Sequence, residues 1–205
     1  WLFSFISLQI MSTSDKFEQV LGLIDAQNNQ DPNLENTPNG AQPKELLYAQ
    51  RMTEKLLQFE PNASEQVQIA ARAQHICRWK IARNTYPMDR VGYLKWRQDL
   101  KKFHADLTAK LLQQVGYNDD FIARVSFLIE KKLLKKDAET QLLEDVICLV
   151  FLEYYFEEFI HKHDDDKLID IVKKTWAKMS EAGHEAALQL SYSEKALAII
   201  QKALA

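Results

Sequence analysis

The sequence predicts an all-α protein, a single helical domain of about seven to nine helices. Three observations carry that prediction. Apolar residues recur at the helical period along nearly the whole chain. Capping residues such as Ser64, Asn118 and Asp137 stand ahead of several of those periods. No stretch alternates apolar and polar residues as a half-buried strand does, and no hairpin turn stands out.

Taken in order, the first helix is expected from about Asp15 to Gln27, behind Ser12-Thr13-Ser14, with Phe17, Val20, Leu21 and Ile24 on one face. Asn28 to Gln42 is rich in Asn, Asp, Pro and Gly and reads as a loop. Pro43 suits the first turn of a helix running to about Phe59, striped by Leu46, Leu47, Met52, Leu56 and Leu57. Ser64 then caps a helix to about Arg78 that turns Val67, Ile69, Ala70, Ala73 and Ile76 inward. A long helix from about Asp89 or Gly92 to Val115 ends at Gly116, where a left-handed cap is least strained. Asn118 opens the next, to about Leu134. Lys131 to Lys136 is a largely basic run and reads as solvated. Asp137 begins another helix, and Glu144 to Phe159 is the most apolar stretch of the chain. After the polar break His161 to Asp166, shorter helices are expected at Leu168 to Lys178 and Ser193 to Leu204.

With 205 residues, 46% hydrophobic and 27% charged, the chain can bury a core without staples. Net charge is −3, which excludes a molecule that attracts polyanions as a whole, so any attraction for phosphate must be local. Two cysteines, Cys77 and Cys148, are too few for a disulfide scaffold, and both read as small core residues in a reducing, cytoplasmic setting. The apolar decapeptide WLFSFISLQI precedes Met11. It lacks the features of a signal peptide and is too short to span a bilayer. Residues 1–10 are expected to be a non-native or disordered extension, and residues 11–205 the domain. No membrane partner is expected.

The stretch from Ala73 to His104 concentrates the candidate chemistry. It holds His75 and His104, the aromatics Trp79, Tyr86, Tyr93 and Trp96, and a basic excess that includes Arg78, Arg83, Arg90, Arg97 and Lys101. Pro87 breaks helical geometry in its middle. Arginine forks bind phosphate or carboxylate, and aromatic faces can wall the pocket. Arg78, Arg83, Tyr86, Arg90, Tyr93, Trp96 and Arg97 are therefore the candidate substrate-binding residues. Glu144 and Asp145 open the apolar helix and are the candidate catalytic acids. Histidines on consecutive helices together with a buried acid form a ligand inventory for Zn, Fe, Mn or Mg, with His75, His104 and Asp145 as candidate metal ligands. An acid so placed is expected to need a partner, cation or histidine.

The runs QPKELLYAQRM (42–52), ARAQHICRW (71–79), YPMDRVGYLKWR (86–97), LEDVICLVFLEYYF (143–156) and KKTWAKMS (173–180) resemble the uncharacterised domain of unknown function 4202 family. The likeness covers about Phe17 to Leu190. Members often carry the label glutamyl-tRNA synthetase. Here His75-Ile76-Cys77-Arg78 and Lys178-Met179-Ser180 match only fragments of the synthetase motifs, no βαβ pattern surrounds them, and synthetase activity is excluded. More distantly, ARAQHI (71–76), KFHADLTAKLLQQVGYNDDFIARV (102–125) and LEDVICLVF (143–151) resemble HD-domain metal-dependent phosphohydrolases. The family's His-Asp pair would fall on Gln74-His75 or His75-Ile76. That resemblance implies an HD-domain-like architecture and a metal-dependent hydrolase acting on a phosphorylated small molecule or nucleotide, with a di-iron oxygenase as a variant. The alternative is a non-enzymatic module that binds an anion or an RNA partner through the basic surface of residues 72–102.

Overall fold

A computed structural model describes residues 13–205, so the expected extension, residues 1–10, lies outside the described residues. The chain runs α1 (Thr13–Asn28), β1 (Leu34–Thr37), β2 (Gly40–Pro43), α2 (Lys44–Phe59), α3 (Glu65–Arg72), α4 (Arg90–Val115), α5 (Asp119–Ile129) and α6 (Ala138–Val150). It continues with α7 (Phe156–Ile160), α8 (Asp165–Lys178), α9 (Glu181–Leu188) and α10 (Glu194–Leu204). The all-α class holds. Ten α-helices stand among the described residues instead of seven to nine. A π-helical turn over Phe151–Tyr155 divides the expected long apolar helix into α6 and α7. Ser180, which was not read as a cap, opens α9 by accepting from Gly183 N–H.

Local chemistry explains most boundaries. Ser64, Asn118 and Asp137 each accept a backbone N–H three residues on, at 3.3, 2.9 and 2.9 Å. Gly116 ends α4 at φ +91°, a conformation a side chain would strain.

The stretch read as a loop from Asn28 to Gln42 contains a small antiparallel hairpin, Leu34 opposite Pro43 through Thr37 opposite Gly40. Its strands are four residues long and mostly polar, so they show no apolar alternation. The legible signal was Asn39-Gly40, with Gly40 at φ +103°. The segment before the hairpin sets the start of α2, because Asp31 Oδ2 accepts from Glu45 N–H at 3.0 Å. Arg51 then ties α2 to β1 through Glu35 at 2.7 Å.

Two clusters of buried side chains fill the interior. One joins α1 to α6 through Ile24, Met52, Leu56, Ile69, Leu112 and Leu128, with Leu143, Val146 and Val150 from α6. The other joins α6 to α10 through Cys148, Leu149, Phe156, Leu168, Val172 and Ile199. Each fully buried side chain of this size contributes roughly 1.5–3 kcal/mol relative to exposure. Cys77 and Cys148 are both buried free thiols.

Candidate functional site

Helix α3 stops at Arg72, earlier than the expected Arg78. Residues 73–77 form tight turns instead. Cys77 closes them in the left-handed region at φ +52°, unusual for a residue with a side chain. Its N–H donates to Asn28 Oδ1 at 3.0 Å, which holds the turn. This geometry aims His75 and Arg78 toward α2 and α4.

His75 stacks on Tyr48, with ring centroids 3.9 Å apart and planes 11° from parallel. Arg78 Nη1 lies 2.9 Å from His75 Nε2. A guanidinium can only donate, so Nε2 is the acceptor and the ring proton sits on Nδ1. That nitrogen faces Glu45 Oε2 at 3.3 Å. Burial, then the charges of Arg78 and Arg97, hold the His75 pKa well below its ordinary value, consistent with a neutral ring. Burial also raises the Glu45 carboxyl pKa, against the lowering effect of Arg78.

His104 lies beside this chain of groups, its ring 6.1 Å from that of His75. Its Nδ1 donates to the Ile76 carbonyl at 2.8 Å, so Nε2 carries the lone pair. Burial, then His75, push its pKa down to about 3. The structure thus brings the two predicted histidines together and keeps both neutral.

Around them gather cations. Arg97, Lys101 and His104 are spaced i, i+4, i+7 on one face of α4. Burial, then neighbouring positive charge from Arg97, lowers the Arg78 pKa. Burial, then Lys131 and Arg97, does the same to Lys101. Lys131 pairs with Glu144 Oε2 at 2.7 Å. Burial lowers the Lys131 pKa, with Glu144 opposing and Arg97 adding to the effect. Arg97 and Lys101 are half-buried and have no hydrogen-bond or ion-pair partner among the described residues. Among the described residues, the carboxylates that act on Arg78, Lys101 and Lys131 are Glu45 and Glu144.

The other predicted residues divide. Trp96 lies under the Arg78 guanidinium at 5.0 Å and donates its Nε1–H to the Ile81 carbonyl. Tyr93 is 5.9 Å from Trp96 and 46% exposed, at the rim. Arg83 spends its donors on the carbonyls of Tyr86, Pro87 and Asp89, stapling the loop. The Tyr86 hydroxyl donates to Asp99, and Arg90 is exposed.

Asp145 does not join the histidines. Its oxygens accept from Ser180 N at 2.8 Å, Ser180 Oγ at 2.5 Å and Gln141 Nε2 at 3.0 Å. The expected cation or histidine partner is replaced by neutral donors, Ser180 at the start of α9 and Gln141 one turn back on α6. Glu144 faces the cations, paired with Lys131. The donor set does not fit a metal: Glu45 and Arg78 occupy both nitrogens of His75, and the Ile76 carbonyl occupies Nδ1 of His104. Among the described residues no group of three or more His, Cys, Asp or Glu side chains is placed to hold an ion.

Sequence reasoning missed Glu45, Tyr48 and Lys131 as parts of this site. Lys131 is buried, contrary to the solvated run expected there, with 10% of its side chain exposed and φ +58°. Lys101 was legible as the i+4 neighbour of Arg97. Glu45 was not, because only the tertiary fold brings α2 to the 73–77 turn.

No helix among the described residues is long and apolar enough to cross a membrane. No curated protein matches the chain. No solved structure matches it either. The sequence match covers both histidines, all four cations and both acids of the site: the chain belongs to the family described as Domain of unknown function (DUF4202), whose profile matches residues 18–200.

Proposed function

We propose that the chain binds a phosphorylated small molecule at the Arg78–Arg97–Lys101–Lys131 cluster and hydrolyses it there. The observation that carries this is the pair Arg97 and Lys101, half-buried cations that make no ion pair with an acid among the described residues, Glu144 acting on Lys101 only from a distance. Burying like charges together is unfavourable unless an anion completes the set. Arginine forks and lysine ammonium groups suit the oxygens of a phosphoryl group. Trp96 backs Arg78, and Tyr93 at the rim offers a face to the rest of the ligand.

An RNA partner would instead draw on exposed cations such as Lys80, Arg90, Lys95 and Lys102. Arg97 and Lys101 are half-buried whereas Arg90 and Lys102 are exposed, and the inward placement favours a small ligand. Isothermal titration of the chelator-treated protein with inorganic phosphate and glucose 6-phosphate is expected to show binding. Arg97→Ala should weaken it about tenfold or more, a loss of roughly 1.4 kcal/mol. Absence of binding by either probe, together with RNA binding that falls steeply with salt, would replace this function with the RNA one.

A further inference from the structure

Binding a phosphoryl group does not by itself use His104. Its Nδ1–H is fixed on the Ile76 carbonyl at 2.8 Å, which leaves a lone pair on Nε2 with no protein partner among the described residues. The ring is held on two sides, by Phe103 edge-on at 5.7 Å and by His75 at 6.1 Å. His104 itself is only 3% exposed, deeper than Arg97 and Lys101 on the same helical face. The carbonyl that orients it belongs to the residue before Cys77, whose left-handed backbone is the kind of strain that concentrates at functional sites.

We propose that His104 Nε2 is a nucleophile toward the phosphoryl group, forming a covalent phosphohistidine; this rests on the phosphoryl-binding function above. A neutral imidazole whose other nitrogen is anchored by a hydrogen bond is a competent nucleophile at neutral pH, and burial keeps this one neutral. Arg97 and Lys101 share a face of α4 with His104, and the Arg78 charge acts on its ring, so these cations are the ones to offset charge on the phosphoryl oxygens as the bond forms.

The step balances without an oxidant or reductant. The Nε2 lone pair forms the N–P bond as the P–O bond to the leaving alcohol breaks. That electron pair stays on the alcohol oxygen, which takes a proton from water. The hydroxide so formed attacks phosphorus, the P–N pair returns to Nε2, and inorganic phosphate leaves. The net reaction is ester plus water to alcohol plus phosphate, with His104 restored and its Nδ1–H on the Ile76 carbonyl throughout.

The test uses the full chain, treated with chelator and mixed with phosphoramidate, a small phosphoryl donor. Samples are quenched in alkaline denaturant, where phosphohistidine survives, over times from milliseconds to minutes. The expected result is an intact-mass gain of one phosphoryl group that is acid-labile, alkali-stable and maps to His104. His104→Asn retains a donor for the Ile76 carbonyl and should abolish the gain while circular dichroism stays native. Because mapping on the unsubstituted chain is decisive alone, a misfolded variant does not blunt the test. Label on His75 or on a hydroxyl, or no label at any time, overturns the nucleophile. Titration with inorganic phosphate separates the two ideas. Phosphate binding without label rejects the nucleophile and leaves the binding site standing, whereas no binding and no label reject both.

Discussion

Glu144 and Asp145 are neighbours on α6, 3% and 2% exposed, yet the protein meets their charges in opposite ways. Glu144 faces α5's far end and takes an ammonium group, Lys131, at 2.7 Å. Asp145 faces α9 and takes only neutral donors, Ser180 and Gln141. An acid wrapped by neutral hydrogen-bond donors is complete and does structural work, here pinning the start of a helix. An acid met by one of several crowded cations neutralises only part of their charge. Adjacent residues of similar type thus serve scaffold and site, and the partner tells them apart.

The largest effect is expected from breaking the Glu144 side. Lys131→Met leaves a buried carboxylate without its cation, at a cost of about 3–5 kcal/mol. Urea denaturation measures it. Lys131→Met combined with Glu144→Leu should regain much of the loss, and a double variant as unstable as the single one would show that the pair is not the cause.

Breaking the Asp145 side should cost less. Asp145→Ala leaves the Ser180 donors unsatisfied, worth about 1–3 kcal/mol, with phosphate affinity unchanged. Gly183→Ala sharpens the same point, because a Cβ there would stand 2.7 Å from Asp145 Oδ1. Its expected loss, about 1–3 kcal/mol, comes from crowding and is read by thermal denaturation. Loss of phosphate binding in either variant would mean that the two sides of α6 are coupled.

The smallest effect per step is the acid response of the histidine side. The folded pKa of His104, about 3, lies below its ordinary 6.5, so the unfolded chain takes up the proton first. Stability is then unaffected by this group above about pH 6.5 and falls as pH drops below it, by up to about 1.4 kcal/mol per unit. Denaturation at pH 7, 6 and 5 should show the slope, and His104→Asn should reduce it, the remainder belonging to His75, whose pKa is also lowered by burial. An unchanged slope in that variant would assign the acid response elsewhere.

Much of the helical frame was legible because caps act locally. Ser64, Asn118 and Asp137 each bond a backbone group three residues away, and Gly116 solves a steric problem within its own turn. The basic face of α4 was legible in part for the same reason, since Arg97 and His104 recur at helical spacing. What escaped depends on distant pairing or on backbone strain. His75 leaves the helix because its turn is held by Asn28, from the end of α1. Lys131 turns inward at positive φ, which no glycine announces. Asp145 finds Ser180 across a gap of thirty-five residues, so no local pattern could reveal a neutral partner.

Helix α6 sends Leu143, Val146 and Val150 into one core and Cys148 and Leu149 into the other. No amide in its middle can be exposed without withdrawing side chains from both. In native-state hydrogen exchange such amides open only with the whole molecule, so those of Val146 to Val150 should be the slowest in the chain and report global stability. The shared helix makes the two cores one cooperative unit, and it delivers Glu144 to the cation cluster from the part of the protein that opens last.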